Sequence, residues 1–142
     1  SGGSNCLKGL AASQTGPAAN SRAKLELYVY SPHMFREAMP DDGYGVGDVT
    51  MSNTTCGNRM LKLYKPEQNI YPVGAAIGPG FQFGIGTAFG AGGAKTVAIT
   101  GDGGFYLNMT ELRTATQERP DVASGTFNDA GYGDSQDIQD TH

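Results

Sequence analysis

Two acidic side chains in the last third of the chain, Asp102 and Asp129, offer its most specific chemistry. Asp102 lies in the turn Gly101-Asp102-Gly103-Gly104, and Asp129 lies in Asn128-Asp129-Ala130-Gly131. Turns of this kind are common punctuation, so neither means much alone. What joins them matters more. Thr96 to Thr100 is β-branched and apolar, which suits a buried strand, and the glycines after it stop that strand. Asn108 stands as an N-cap with Glu111 in the reach-back position, and Met109, Leu112, Ala115 and Thr116 recur at helical spacing. Pro120 ends the helix, and Val122 to Phe127 reads as a second strand.

Strand, helix and strand in this order form a βαβ unit, whose right-handed crossover puts both strand ends on one edge of a parallel sheet. Neighbouring strands lie about 4.8 Å apart, so Asp102 and Asp129 are expected side by side. Two hard oxygen ligands at that separation suit Mg²⁺, which takes one or two carboxylates and completes its octahedron with water and phosphate oxygens. The glycines allow backbone N–H groups to approach those phosphates. The expected site is a Mg²⁺-diphosphate site at the carboxyl edge of the sheet.

The spacing adds a family resemblance. Twenty-four residues separate Gly103 from Asn128, and this resembles the thiamine diphosphate signature, in which Gly-Asp-Gly is followed at that distance by Asn-Asn or Asn-Asp. Gly104-Phe105, Glu111-Leu112, Thr114-Ala115 and Gly131-Tyr132-Gly133 also match. From about Met39 to Gln139 the chain resembles the diphosphate-binding domain of the acetolactate synthase and benzoylformate decarboxylase family. The resemblance implies an open parallel sheet with helices on both faces, thiamine diphosphate and Mg²⁺ as cofactors, and a 2-oxo acid as substrate. It implies metal ligation by Asp102, Asp129 and the carbonyl of Gly131, with cofactor contacts from Gly103, Gly104, Gly131, Tyr132 and Gly133. It also aligns Phe81 with the apolar residue that props the bent cofactor between its rings; the alternative for Phe81 is an ordinary core aromatic.

Composition narrows the other possibilities. A length of 142 residues suits one domain with a real core. The 22 glycines are roughly twice the usual share, as expected of a chain with many turns and close backbone approaches. A net charge of −4 without a Lys/Arg cluster argues against a nucleic-acid or membrane surface, so an anionic ligand must be held by backbone dipoles and a metal. No signal peptide or membrane-length apolar run is evident, giving a cytoplasmic expectation. Cys6 and Cys56 read as free thiols outside a secretory context.

Taken in order, residues 1–21 are rich in Ser, Gly, Ala and Asn and read as a flexible leader, with the binding domain spanning 22–142. Leu25 to Met39 reads as helix or strand, interrupted at Ser31-Pro32. Asp41 to Thr50 offers turn chemistry and then a short strand; it lacks the alternating ligands and terminal Glu of a calcium loop. In the resembling family the corresponding strand ends in an Asp like Asp48. Asp48, Thr50 and Gly57-Asn58 further resemble a branch that includes decarboxylases of 2-oxo acids derived from amino acids. Gly84, Gly86 and Gly90 do not have GxGxxG spacing, and a close-packed helix from about Phe83 to Ala91 is the better reading.

Some features depart from the family. Ala123, Ser124 and Gly125 sit in a strand expected to be buried on both faces, and the sequence stops before the sheet would be complete. The glutamate that activates the aminopyrimidine lies on a separate pyrimidine-binding domain in this family, so no catalytic residue is named here. That domain is expected from another segment or subunit, in an oligomer. The competing expectation is a non-catalytic, engineered or truncated scaffold that keeps the motif. A hydrolase ranks last, with His33 and His142 the only histidines and neither cysteine in a nucleophile context.

Overall fold

A computed structural model describes residues 17–53 and 58–132, together with Ser135 and Gln139. Cys6, Cys56 and Gly133 lie outside the described residues.

Four strands form one parallel sheet: β1 (Tyr44–Gly47), β2 (Asn69–Ile70), β3 (Thr96–Gly101) and β4 (Val122–Phe127). Their spatial order is β2-β1-β3-β4, so β1 and β3 are central. Their residues differ accordingly. Val97, Ala98 and Ile99 of β3 are almost wholly buried, as parallel strands covered on both faces require. The sheet is the α/β architecture expected from the sequence.

The helices cover opposite faces, which the alternation of β3 and β4 reveals. Helix α1 (Pro17–Ala38) covers one face: Tyr28 clusters with Ile99 and Phe127, and Phe35 presses on Gly125. Helix α2 (Gly80–Gly90) covers the other, where Gly84 approaches Ala98 and Val122. A Cβ at Gly84 would stand 3.1 Å from both neighbours, so the missing side chain is what lets α2 lie on the sheet. No helix among the described residues is long and apolar enough to cross a membrane.

Helix α1 starts at Pro17, within the span read as a leader, and runs through Pro32 without stopping. Proline lacks the N–H that would reach the Tyr28 carbonyl one turn back. The Ser31 hydroxyl donates to that carbonyl instead, at 3.3 Å, so the orphaned acceptor is satisfied and the helix continues.

The crossover from β3 to β4 also departs from expectation. Helix α3 (Asp102–Leu107) begins directly after β3 at Asp102, not after Asn108. Asn108 makes no side-chain cap; it closes α3, a single 3-10 turn follows at Met109–Glu111, and α4 spans Leu112–Glu118. The reason is a competing bond: Asn108 Nδ2 donates to the Gly78 carbonyl at 3.0 Å, while its Oδ1 accepts from Gln82. Met109 and Leu112, which recur at helical spacing in the sequence, do not form a buried stripe: they are 44% and 47% exposed.

β4 has the boundaries expected, but it is not a buried strand. It pairs with β3 alone among the described strands, and Ala123, Ser124 and Thr126 are exposed. Small and polar residues therefore carry no burial penalty at those positions, and Gly125 is small because the Phe35 ring occupies the space beside it.

Candidate functional site

The carboxyl ends of β1, β3 and β4 converge on one edge, and the residues with chemical potential follow each strand directly. Asp48 follows β1, Asp102 follows β3, and Asn128-Asp129 follow β4. The register pairs Gly101 with Phe127, which puts Asp102 and Asn128 at matching positions just beyond the sheet.

A cavity of about 400 Å³, including the open space at its mouth, lies at this edge. Its wall contains Asp102, Gly103 and Gly104 from the start of α3, and Asp129, Gly131 and Tyr132 from the turn after β4. Six of the residues singled out from the sequence are thus brought together. Phe81 is not: it is 3% exposed and packs edge-on to Phe105, with centroids 5.4 Å apart. The apolar side chains in the cavity wall are Val49, Met51 and Ile77, the last 42% exposed and just before the Gly78-Pro79-Gly80 turn. Sequence reasoning missed Ile77, although a lone branched side chain preceding a glycine-rich turn at a helix start was a usable signal.

Local chemistry explains how the turns hold. Asp102 Oδ1 accepts the Gly103 N–H at 2.9 Å, and Asn128 Oδ1 accepts the Ala130 N–H at 2.8 Å. The Asn128 bond is a side-chain turn that bends the backbone after β4, whereas the Asp102 bond satisfies an N–H in the first turn of α3. Gly103 and Gly104 approach different neighbours. A Cβ at Gly103 would come within 2.7 Å of the Tyr132 ring, and one at Gly104 within 2.8 Å of Asp48 Oδ2.

Asp48 organises the back of the site. It is 0% exposed, and its carboxylate accepts backbone N–H groups from Val49 at 2.8 Å, Gly78 at 2.9 and 3.1 Å, and Gly80 at 3.3 Å. Gly78 has φ +108, and a Cβ there would meet Asn108 Nδ2 at 2.7 Å, so only glycine fits. Asp48 and Asn108 together hold the turn that presents Ile77 to the cavity.

Asp129 is tied to the opposite face of the sheet. The Tyr28 hydroxyl donates to Asp129 Oδ1 at 2.5 Å, across 101 positions of sequence. No group of three or more His, Cys, Asp or Glu poised for a metal occurs among the described residues. A cation at the two cavity carboxylates would therefore draw its other ligands from backbone oxygens, water or the bound molecule.

Comparison with known proteins places this geometry. The probable 2-ketoarginine decarboxylase AruI of Pseudomonas aeruginosa is 34% identical over 82 residues, which cover 57% of this chain and 14% of that protein. A structure from Mycobacterium smegmatis, described as a thiamin diphosphate-dependent enzyme, superposes with a TM-score of 0.64 over 72% of this chain. The match covers 20% of that structure at 24% identity, a likeness of fold. The chain thus spans a small fraction of the length of both relatives. Residues 45–141 match the family model for the thiamine pyrophosphate enzyme, C-terminal TPP binding domain, and the chain belongs to that family.

Proposed function

We propose that this chain anchors the diphosphate end of thiamine diphosphate through Mg²⁺, within an enzyme that decarboxylates a 2-oxo acid. The observation that carries the reading is the shared cavity of Asp102 and Asp129, with Gly103 and Gly104 in the same wall. The donor set suits the group. Two carboxylates are about what Mg²⁺ takes from a protein when phosphate oxygens and water complete its shell. Unbranched backbone at Gly103 and Gly104 lets amides approach an anion, in a chain with a net charge of −4 that offers no basic cluster.

In this reading Asp102, Asp129 and the Gly131 carbonyl ligate the ion, and the backbone of Gly103, Gly104, Gly131, Tyr132 and Gly133 contacts the diphosphate. Ile77, rather than Phe81, is the apolar support beneath the cofactor, because Ile77 stands in the cavity wall. Bound there, the cofactor supplies the electron sink for loss of carbon dioxide. The chain's own residues bind and orient; a pyrimidine-binding domain from another segment or subunit, in an oligomeric and cytoplasmic enzyme, completes the site. The printed name of AruI favours simple decarboxylation of an amino-acid-derived 2-oxo acid. Carboligation in the manner of acetolactate synthase is the finer alternative.

Calorimetric titration of the chain with thiamine diphosphate, with and without Mg²⁺, tests the anchor. Binding that needs Mg²⁺ and is lost in Asp102→Ala is expected. Unchanged affinity in that variant would reject the site, and an intact cooperative fold without any cofactor binding would favour a scaffold.

A further inference from the structure

We propose that Asn108 is a positioning residue for Ile77: its amide fixes the peptide joining Gly78 to Pro79, and with it the distance from the apolar support to the diphosphate anchor at the start of α3. The inference rests on the cofactor reading given above for Ile77, Asp102, Gly103 and Gly104.

Both backbone polar groups of Gly78 are held by side chains, and these come from different elements. Its N–H donates to Asp48 at 2.9 and 3.1 Å, and its carbonyl accepts from Asn108 Nδ2 at 3.0 Å. Asp48 also takes the Gly80 N–H at 3.3 Å, so it grips the chain on either side of Pro79. The peptide between those two grips can be held only through its oxygen, because Pro79 has no N–H. Gly78 has φ +108 and no side chain, so nothing intrinsic to the residue keeps that peptide from turning over. The bond from Asn108 does. Burial begins at Gly78, whereas residues 73–77 are all exposed, so the direction of Ile77 is set from the Gly78 end.

The Asn108 amide is itself oriented. Its Oδ1 accepts from Gln82 Nε2 at 2.7 Å, which turns Nδ2 towards the Gly78 carbonyl. Gln82 lies in the first turn of α2, and Asn108 directly follows α3. The clasp thus ties the Ile77 turn to the far end of the helix whose first residues, Asp102, Gly103 and Gly104, line the cavity. Helical rise puts the two ends of α3 about 9 Å apart, so the helix acts as a spacer between anchor and support. A ligand that reaches from the anchor to Ile77 feels that spacing, and one that occupies the anchor alone does not.

Asn108→Leu tests this, since it keeps the branched outline of the side chain and adds no charge, yet offers no donor to Gly78. Calorimetry on the full chain with Mg²⁺ compares thiamine diphosphate with inorganic pyrophosphate in the wild type, Asn108→Leu, Ile77→Ala and the double variant. Circular dichroism and a cooperative melt establish that each is folded. The expected result is a loss of about fivefold or more for thiamine diphosphate, the scale of one hydrogen bond, with pyrophosphate changed by less than about twofold. In the Ile77→Ala background Asn108→Leu should cost less than about twofold further, because the side chain it positions is gone. Equal losses for both ligands, unchanged affinity for thiamine diphosphate, or full additivity with Ile77→Ala would overturn the role of Asn108 and leave the anchor standing. Failure of pyrophosphate to bind the wild-type chain would instead overturn the anchor, and the role of Asn108 with it. If Asn108→Leu does not fold, Gln82→Leu removes only the group that orients the amide and is held to the same criteria.

Discussion

Alanine at Gly103 and at Gly104 is the same chemical change on adjacent residues of one helix, yet the two neighbourhoods predict different outcomes. Both lie in α3, where replacing glycine by alanine gains about 1 kcal/mol of helix propensity. At Gly103 the new methyl would meet the Tyr132 ring at 2.7 Å, but Tyr132 is 51% exposed and can swing towards solvent. At Gly104 it would meet Asp48 Oδ2 at 2.8 Å, Gly78 N at 3.3 Å and Gly78 Cα at 3.4 Å. None of these can retreat easily, because the carboxylate is wholly buried and held by the Gly78 and Gly80 amides. Overpacking of this kind costs about 1–3 kcal/mol. The helix gain cancels between the variants, so Gly103→Ala should exceed Gly104→Ala in stability by about 1–3 kcal/mol, the clash cost alone. Urea unfolding would show this as midpoints about 1 M apart, taking a slope of 1–3 kcal/mol/M. A Gly104→Ala chain as stable as Gly103→Ala, or more so, would refute the claim that Asp48 is rigidly seated.

Further consequences can be measured on the same chain. Gly125→Val should destabilise by about 1–3 kcal/mol in thermal melts, since its Cβ would meet Phe35 Cζ, whereas Ala123→Val on the exposed part of β4 should be near neutral. Ile77→Ala should change stability by less than about 1 kcal/mol, being partly exposed, while weakening thiamine diphosphate binding about tenfold in a calorimetric titration.

The parts of the fold legible in the sequence were those in which one local signal had no competitor. β3 announces itself through Thr96, Val97, Ile99 and Thr100, and the boundaries of β4 follow from Pro120 and Asn128. The turns bearing Asp102 and Asp129 were legible for the same reason, as glycine and asparagine punctuation after strands. Reading failed where a side chain had a second, distant partner. Asn108 is a good cap by type, but Gly78 and Gln82 hold its amide. Pro32 should end a helix, but Ser31 supplies the bond that proline cannot. Phe81 and Ile77 are both apolar and four residues apart; only the packing of Phe81 on Phe105 decides which one reaches the cavity. Gly125 looked like a defect in a buried strand until the Phe35 ring filled the space beside it.

The precision of such a site depends on a group outside its cavity. Glycine at 78, 80 and 104 lets the β1 end, the Ile77 turn and α3 approach one another, but glycine supplies proximity without order, since it is the residue with the most conformational freedom to lose. Order comes from Asp48. Burying an unpaired carboxylate costs several kcal/mol unless hydrogen bonds replace its water. Three backbone amides do so here, two of them from the very turn that carries Ile77. Because the charge is expensive to leave without those donors, the turn is held to the strand end by the same energy that would otherwise expel Asp48 from the core. Gly104 packs against the same carboxylate, so any movement of α3 that widened the cavity would open space around a charge that must stay covered. One buried acid thus couples the wall that would meet the diphosphate to the wall that would support the cofactor's middle.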